Sequence, residues 1–386
     1  MAGIYRLKGA VKHYDWGGTS FIPSLLEINN KENKPFAEYW MGLHPLGVGE
    51  VETKEGAFQS LQDIVTDIPF LFKVLDVKDM LSIQVHPSKA AAEKEFAREN
   101  AEGIALSDPA RNYKDDNHKP ELMVALSDFW LLHGFKTDID LHTTFRNTAE
   151  LAELIPVFKN EGYIGLYKFV MEMPQDEVNR ILQPLINRLT PFYKKKILNK
   201  TNEDFWAVRA SETFSQNGNI DRGIFSIYLF NVVQLKKGEG VFQDAGVPHA
   251  YLEGQNVELM ATSDNVLRGG LTTKHIDVPE LLKHVKCEAT IPNILSGEEI
   301  SSNEKVYKTP VKDFELSVFE LREDEEVDIV AGNTEILIAT EGVINVGDDD
   351  IVLQEGHPSA VILPGTNYRL TGFAGKSILY RASVPA

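Results

Sequence analysis

The chain of 386 residues is 43% hydrophobic and 25% charged, an ordinary globular composition with enough length for two or three domains. Its formal net charge of −18 at pH 7 predicts a surface that repels nucleic acid and anionic membranes, so neither is expected as a partner. The single cysteine, Cys287, excludes an intrachain disulfide and a cysteine-based zinc finger, and we expect it to be a lone buried thiol.

The N-terminal segment MAGIYRLKGAVKHYDWGG has no long apolar run, so a signal peptide is not expected. No stretch of the sequence is apolar over the length needed to span a bilayer. We therefore expect a soluble, cytoplasmic protein. A monomer is expected, with a homodimer as the alternative.

The first part of the chain has β-type sequence, punctuated by glycine and proline, to about residue 135. FLFKVL (70–75) and LSIQVH (81–86) are separated by DVKDM, a polar connection of hairpin size. AAAEKEFAREN (90–100) is helical in composition, and ELMVALSDFWLLHGF (121–135) predicts one or two further strands.

A helical period replaces the β pattern between about 136 and 219. In PQDEVNRILQPLINRL (174–189) the apolar residues recur at helical spacing, and Pro184 inside that pattern predicts a kink or a split. NTAELAELIPVF begins like a helix capped by Asn147 or Thr148. We interpret this block as a helical insertion between two β-rich parts.

Strand-type sequence returns from about residue 223 in GIFSIYLFNVVQL, GEGVFQDAGVPHAYLEG and NVELMATS. LKKGEGVFQDAGVPHAYLEG resembles the later segment LQEGHPSAVILPGTNYRLTG, and alignment of Gly246 with Gly365 places Tyr368 where His249 stands. This weak internal repeat predicts two related β-barrels, of which the second lacks the metal-type residue.

Strand alternation groups polar side chains on common faces. In LSIQVHPSK, Gln84 and His86 point to one face of the predicted strand, where apolar residues would be expected. In NHKPELMV, Lys119 and Glu121 share a face, and His118 lies on the opposite face. Core-type strands that aim an imidazole, an amide and a carboxylate at common faces indicate a polar site.

In VPHAYLEG, His249 and Tyr251 share a face. His86, Glu121 and His249 would form a His₂Glu set, the ligand type of a zinc site with one open position, and Gln84 would add an amide oxygen. Strands about 5 Å apart can bring such ligands together inside a barrel. From the residues alone, each histidine could equally be a surface or core residue. Five other histidines have no companion pattern and are interpreted as structural: His13, His133, His142, His284 and His357.

The segment NVELMATSDNVLRGGLTTK follows His249 and brings Glu258, Arg268 and Lys274 near the same site. In an acidic chain, Arg268 and Lys274 are candidates for holding a phosphate, the arginine through its bidentate fork. The alternative is that Arg268 pairs with a nearby acid such as Asp264. The glycines after Arg268 do not form a GxxxxGK loop, so ATP is not indicated.

Taken together, these motifs resemble the type I mannose-6-phosphate isomerases (phosphomannose isomerases), zinc enzymes of the cupin superfamily. The resemblance is carried by segments spread in order over about 265 residues: YDWGG (14–18), AEYWMGLHP (37–45), FLFKVLDVKDMLSIQVHPSK (70–89), DDNHKPEL (115–122), PHAYLEG (248–254) and SDNVLRGGLTTKHIDV (263–278).

With the pattern of elements, the resemblance implies a fold that is mainly β with an α-helical insertion, built from cupin-type jelly-roll barrels. Residues 1–135 and 220–300 would form the catalytic cupin domain. Residues 136–219 would form the helical insertion domain, and 301–386 a C-terminal, non-catalytic jelly-roll domain.

The resemblance also implies one zinc ion per chain, held by Gln84, His86, Glu121 and His249. The implied reaction interconverts mannose 6-phosphate and fructose 6-phosphate. A proton leaves C2 and returns at C1 through an enediol, which needs an acid–base group and a positive group near the charge that develops on oxygen.

Catalytic roles are implied for Arg268, Glu258 and Lys119, of which Glu258 or Lys119 would take part in moving the proton. The resemblance places further residues around the substrate: Lys274, Tyr251, Ser82, Lys73, Trp16 and His44.

Two other functions remain open. Two histidines and one carboxylate also suit ferrous iron, as in a cupin oxygenase, and oxygen dependence would identify that class. A non-catalytic sugar-binding cupin would keep the fold but lose ligands, whereas all four implied ligands are present here.

Overall fold

The computed structural model describes residues 3–53, 56–347 and 351–385. Up to residue 268 the strands are β1 (Ile4–Lys8), β2 (Ala10–Lys12), β3 (Glu38–Met41), β4 (Glu50–Glu52), β5 (Phe58–Ser60), β6 (Phe70–Val77), β7 (Gln84–Val85), β8 (Glu121–Ala125), β9 (Phe129–Phe135), β10 (Phe230–Leu235), β11 (Gly240–Gln243), β12 (His249–Ala261) and β13 (Leu267–Arg268). The later strands are β14 (Glu298–Glu299), β15 (Glu304–Tyr307), β16 (Glu315–Leu321), β17 (Glu326–Val330), β18 (Glu335–Val346), β19 (Ile351–Leu353), β20 (Ser359–Ile362) and β21 (Asn367–Ser383).

The helices are α1 (Phe21–Leu25), α2 (Lys89–Ala101), α3 (Asp138–Asn147), α4 (Leu154–Glu172), α5 (Gln175–Lys194), α6 (Glu203–Phe214), α7 (Gly223–Leu229) and α8 (Val278–His284). Short 3₁₀ turns cover Leu61–Asp63 and Ala149–Leu151. The predicted class, mainly β with an α-helical insertion, is confirmed. Within the described ranges, no helix is both long enough and apolar enough to cross a membrane.

The first antiparallel sheet carries the candidate site. Its main path is β10-β9-β12-β6-β3-β2, and β7, β8, β11 and β13 join it at β12 or at one another. Strand β12 is central because it pairs with β6, β7, β8 and β9. Side chains from four neighbouring strands therefore meet beside β12.

Strand β6 shows how the sequence builds one wall of this sheet. Phe70, Phe72 and Val74 pack into an apolar cluster shared with strands of the C-terminal region. Because alternate residues point to opposite faces, Lys73 and Leu75 face the other way, toward the candidate site. The alternation of side chains along β6 thus points the charged Lys73 toward the candidate site, although its neighbours in the strand are apolar.

The second antiparallel sheet has the order β14-β15-β16-β21-β18-β20-β1-β4-β5, with β17 and β19 attached to β21 and β18. The N-terminal strand β1 pairs with β20, with Tyr5 opposite Val361. The pair joins a strand of the predicted catalytic domain (1–135 with 220–300) to a strand of the predicted C-terminal domain (301–386). The division into these two domains and a helical insertion (136–219) stays a prediction.

The internal repeat has matching backbone features. Gly246 and Gly365 both have positive φ, 81° and 76°, in turns just before the long strands β12 and β21. Glycine adopts this conformation without the steric cost that other residues bear. Tyr368 is buried, and its hydroxyl donates to Glu335 at 2.6 Å. In the described part of the chain, the only cluster of three metal-type side chains lies near His249, not near Tyr368.

Of three local predictions in the helical part of the chain, two are wrong and one, the cap at Asn147 or Thr148, holds only in part. Helix α5 runs through Pro184 without interruption, because its apolar face is fully packed: Val178, Ile181, Leu182, Leu185, Ile186 and Leu189 are buried. Thr148 follows α3 and stands at the N-cap of the 3₁₀ turn Ala149–Leu151, as predicted, but its side chain makes no capping hydrogen bond, and α4 itself begins only after Glu153. Residues 223–229 form α7, a helix buried on all sides, where a strand was predicted. A run that is apolar throughout has no hydrophobic period by which a buried helix can be distinguished from a buried strand.

Candidate active site

Two histidines and one carboxylate converge at the ends of three strands. His86 directly follows β7, Glu121 begins β8 and His249 begins β12. The Nε2 atom of His86 lies 3.4 Å from Oε1 of Glu121, and Nε2 of His249 lies 3.3 Å from Oε2. The ligand atoms of all three residues lie within 4.8 Å of one another.

Backbone carbonyls orient both imidazoles. Nδ1 of His86 lies 2.9 Å from the carbonyl oxygen of Asn265, and Nδ1 of His249 lies 2.9 Å from that of Val247. A ring that donates from Nδ1 leaves the lone pair of Nε2 free. Both Nε2 atoms point at Glu121, are buried, and have no hydrogen-bond partner among the described residues.

This donor set fits a divalent metal ion. Burial lowers the pKa of His86, so its ring is neutral at pH 7. Burial alone would raise the pKa of Glu121, but the charge of Lys119, whose Nζ lies 3.2 Å away, holds it well below the usual range. Neutral imidazoles and an ionised carboxylate are the forms that bind zinc. Gln84 stands directly opposite His249 where β7 pairs with β12, and both residues line one small chamber.

Lys119 lies beside this cluster as the alternation predicted. Its Nζ is 3.2 Å from Oε1 of Glu121, while His118 faces away and lies 3.0 Å from Asp313 of the C-terminal region. The predicted common face of Lys119 and Glu121 is therefore confirmed.

A second buried cluster surrounds Glu258. One of its carboxylate oxygens accepts a hydrogen bond from Lys73 at 3.0 Å, and the other accepts one from the hydroxyl of Tyr251 at 2.8 Å. Lys73 also lies 3.7 Å from Glu38. Register explains the contacts, because Trp40, Lys73 and Glu258 stand directly opposite one another across β3, β6 and β12.

Attraction between opposite charges stabilises the buried cluster around Glu258. Burial alone would lower the pKa of Lys73, but Glu258 and Glu38 raise it above its ordinary value. Burial raises the pKa of Glu38, and Lys73 opposes that rise. Burial and the charge of Glu258 raise the pKa of Tyr251 well above its ordinary value, so its hydroxyl stays protonated.

The two clusters face a chamber at the floor of an open cleft. The chamber, of about 90 Å³, is lined by Glu121, His249, Tyr251 and Glu258 among others. The cleft, of about 1100 Å³, opens above it. Five side chains line both spaces and so mark the passage between them: Glu38, Lys73, Leu81, Gln84 and Lys119.

The cleft carries cations that have no acidic partner. Within the described residues, neither Arg268 nor Lys274 forms an ion pair, and both line the cleft but not the chamber. Burial lowers the pKa of Arg268, and burial together with Arg268 lowers that of Lys274. Asp264 instead lies 3.3 Å from Nε2 of His44. The alternative pairing of Arg268 with Asp264 is therefore wrong.

The remaining predicted residues Ser82, Trp16 and His44 also line the cleft. His44 is buried, and its ring packs edge-on against Trp40 with centroids 4.9 Å apart. All thirteen candidates thus lie at the chamber, at the cleft or, for His86, in the metal cluster beside the chamber.

Four residues at the site were missing from the candidates: Glu38, Trp40, Lys114 and Asn265. Glu38 and Trp40 occur in AEYWMG, where the available signal was an acid inside an otherwise apolar, strand-type run. Asn265 is fully buried; its side-chain oxygen accepts from the backbone N–H of Lys114 at 2.7 Å, and its backbone oxygen orients His86. Sequence reasoning did not identify Asn265, because its role depends on a contact with Lys114, which lies 151 residues away in the sequence.

Comparison with known proteins agrees with this geometry. Residues 4–138 match the family model for the phosphomannose isomerase type I catalytic domain. The mannose-6-phosphate isomerase of Escherichia coli K12 is 35% identical over 383 residues, covering 94% of this chain and 93% of the relative. The human mannose-6-phosphate isomerase is 33% identical over 361 residues, covering 81% of each chain.

Solved structures agree over the full length. A zinc-bound mannose 6-phosphate isomerase superposes with a TM-score of 0.87 at 33% identity, covering 100% of both chains. A variant of phosphomannose isomerase from Salmonella typhimurium gives a TM-score of 0.88 at 32% identity, again covering 100% of both chains. The chain belongs to the type I phosphomannose isomerase family.

Proposed function

We propose that this protein is a zinc-dependent isomerase that interconverts mannose 6-phosphate and fructose 6-phosphate. The observation that carries the proposal is the division of the site into two zones. A metal-competent cluster and an acid–base cluster line the chamber, whereas unpaired cations line the cleft outside it. A sugar phosphate has the same division, with reacting carbons at one end and a dianion at the other.

We propose His86, Glu121 and His249 as the zinc ligands, with the amide oxygen of Gln84 as a fourth. When bound, zinc supplies a Lewis acid that stabilises negative charge on oxygen. Lys119, 3.2 Å from Glu121, adds a positive charge at the same place. The zinc-bound relative supports the choice of metal.

Glu258 and Lys119 are the proposed groups that hold and move the proton between C2 and C1. Glu258 lines the chamber and Lys119 lies in the passage that leads to it. Lys73 and Tyr251 fix both oxygens of Glu258, so that the carboxylate keeps one orientation as the substrate changes. A fixed acid–base group near the reacting atoms lowers the barrier to proton transfer.

The phosphate is proposed to bind Arg268 and Lys274 in the cleft. Lys114 lines the same cleft, with its Nζ 3.0 Å from the carbonyl oxygen of Leu106. A phosphate dianion would supply the acidic partner that Arg268 and Lys274 lack within the protein. Trp16, Ser82 and His44 would complete the walls around the sugar.

An oxygenase with ferrous iron is less well supported. Its ligand set could be the same, but it does not explain the unpaired cations in the cleft or the family membership. A non-catalytic sugar-binding protein is disfavoured because the metal ligands and the acid–base cluster are both intact.

The test is the reaction in D₂O, followed by NMR. We expect fructose 6-phosphate to give mannose 6-phosphate with deuterium entering at C2, because a proton held by Glu258 or Lys119 exchanges with solvent. Glu258→Gln should slow the reaction on the order of 10²-fold or more. No conversion by folded, zinc-loaded protein would refute the proposal, and oxygen consumption with ferrous iron would support the oxygenase.

Three finer points are also proposals. The chain is proposed to act as a monomer, which light scattering on purified protein would test. It is proposed to act in the cytoplasm, where phosphorylated sugars are retained by their charge, and cell fractionation would test this. The division into a catalytic domain, a helical insertion domain and a C-terminal jelly-roll domain can be tested by limited proteolysis near residues 135, 219 and 301.

A further inference from the structure

The loop that carries the two unpaired cations of the cleft has an unfavourable backbone conformation at its centre. The loop (residues 269–274) begins after Arg268, the last residue of β13, and ends at Lys274. Leu271, in the middle of the loop, has a positive φ of 52° and is only 1% exposed. A residue other than glycine keeps this left-handed conformation only where its surroundings fix it. We therefore looked for the contacts that fix this loop.

The first part of the loop is held by β7 and the residue before it. The backbone N–H of Gly269 donates to the carbonyl oxygen of Ile83 at 2.9 Å, and the N–H of Ile83 donates to that of Gly270 at 3.0 Å. Arg268 stands directly opposite Gln84 where β13 pairs with β7. These backbone contacts fix the loop as far as Gly270.

The next part of the loop is held by one side chain, Asp221, from the turn between α6 and α7. One carboxylate oxygen of Asp221 accepts a hydrogen bond from the backbone N–H of Leu271 at 2.9 Å, and the other accepts one from Thr272 at 3.2 Å. The first oxygen also accepts from the N–H of Gly223 at 2.7 Å. Hydrogen bonds to a carboxylate are stronger than those between neutral groups. Asp221 thus joins the start of α7 to the loop.

Two glycines let the loop lie directly against the start of α7. A Cβ atom on Gly270, whose φ is 123°, would lie 2.4 Å from the Cα of Gly223. A Cβ atom on Gly223 would lie 2.5 Å from the backbone nitrogen of Leu271. Glycine alone permits so close an approach of two backbones. The side chain of Leu271 packs in the same apolar cluster as Ile220 and Ile224, on either side of Asp221.

The turn that carries Asp221 is itself held by α5. The backbone N–H of Ile220 donates to the side-chain oxygen of Asn179 at 2.9 Å, and the carbonyl oxygen of Ile220 accepts from the side chain of Gln175 at 2.9 Å. The side-chain amide of Asn179 also donates to the carbonyl oxygen of Gly218 at 3.0 Å. The position of the carboxylate is therefore fixed from the helical part of the chain.

Asp221 lines neither the chamber nor the cleft, so its effect on the substrate must pass through the loop. We propose that Asp221 is a positioning residue for phosphate recognition, which holds residues 269–274 in the conformation that keeps Arg268 and Lys274 at the cleft. A loop that is already ordered spares the ligand the free-energy cost of ordering it. The inference rests on the proposed phosphate site.

The test compares two variants of Asp221 with a matched control. Asp221→Ala removes all three acceptor contacts, whereas the amide oxygen of Asp221→Asn can still accept from Leu271 and Gly223. Asp204→Asn is the control, because Asp204 is another partly buried acid of the helical part, accepts from the hydroxyl of Tyr228 at 2.8 Å and lines neither the chamber nor the cleft. Initial rates give kcat and KM for fructose 6-phosphate, and inorganic phosphate serves as a competitive inhibitor. Bound zinc and the melting temperature are measured in parallel.

We expect Asp221→Ala to raise both KM and the inhibition constant of inorganic phosphate roughly tenfold, because a loop that is in the binding conformation about one tenth of the time binds about tenfold more weakly. The kcat should fall by less than about threefold, since saturating substrate restores the loop conformation. Bound zinc should not change. Asp221→Asn should lie between Asp221→Ala and the original protein, and Asp204→Asn should have the KM of the original protein.

A purely structural role would lower the melting temperature and kcat and leave KM unchanged, and that result in Asp221→Ala would overturn the inference. An equal rise of KM in Asp204→Asn would also overturn it. If Asp221→Ala does not fold, Asp221→Asn decides: a KM equal to that of Asp204→Asn overturns the inference. If Arg268→Ala leaves KM and phosphate inhibition unchanged, the proposed phosphate site itself is refuted, so the two failures are distinguishable.

Discussion

Lys73→Met should be the most destabilising conservative change in the chamber. Lys73 is 7% exposed, and its Nζ is the cation between Glu258 at 3.0 Å and Glu38 at 3.7 Å. Methionine keeps the length of the side chain and removes the charge, so that two buried carboxylates lose their common partner. Breaking a buried ion pair by removing one member costs about 3–5 kcal/mol, and we expect a loss in that range.

The assay is urea unfolding of the zinc-free protein, combined with the Lys73→Met/Glu258→Gln double variant. Removing one carboxylate as well should restore part of the stability, with a coupling free energy of about 2 kcal/mol or more. A loss below about 1 kcal/mol in Lys73→Met, or additive losses in the double variant, would refute the idea that Lys73 holds the two carboxylates together.

The destabilisation should also depend on pH. Burial already raises the pKa of Glu38 above 4.5, and Lys73 opposes this rise, so Lys73→Met should raise it further. A carboxyl with a raised pKa binds more protons in the folded state than in the unfolded state. The stability that Lys73→Met loses relative to the original protein should therefore be smallest in acid and grow as the pH rises from about 4.5 through the raised folded-state pKa of Glu38. A variant that loses the same stability at every pH would contradict this.

Three further predictions concern phosphate binding, metal binding and the lone thiol. Arg268→Ala should raise KM for fructose 6-phosphate roughly 10- to 100-fold, because one charge-assisted contact is worth about 1.5–3 kcal/mol; initial rates measure this, and an unchanged KM would contradict the proposed phosphate site. Asn265→Ala should weaken zinc binding by about tenfold, since Asn265 anchors the segment whose carbonyl orients His86; chelator competition measures this, and unchanged affinity would show that the anchor is dispensable. Burial raises the pKa of Cys287 from 9.0 to about 12, so at pH 8 fewer thiolates form, which the higher nucleophilicity of a more basic thiolate offsets in part; its reaction with a disulfide reagent should be roughly 10- to 100-fold slower in the folded than in the unfolded protein, and equal rates in both states would place the thiol in solvent.

Much of the metal site follows from local sequence. Alternation places Lys119 and Glu121 on one face with His118 on the other, and the structure keeps that division. His86 and His249 each stand at a strand end, within a short motif of its own. For such residues the orientation depends only on the strand that carries them, which sequence reasoning can supply.

The acid–base cluster depends on long-range register. Lys73 and Glu258 are 185 residues apart in sequence, and their contact exists because β6 and β12 pair with those two residues opposite each other. Alternation alone would place Tyr251 and Glu258 on opposite faces of β12. A register shift between Tyr251 and Glu253 changes the facing, so that the two side chains meet.

The direct test of zinc-dependent isomerisation is conversion of fructose 6-phosphate to mannose 6-phosphate before EDTA treatment, after it, and after zinc is restored. Metal content is measured at each stage. We predict that activity falls together with bound zinc and returns with about one zinc ion per chain. Full activity in protein shown to contain no metal would contradict the role assigned to His86, Glu121 and His249.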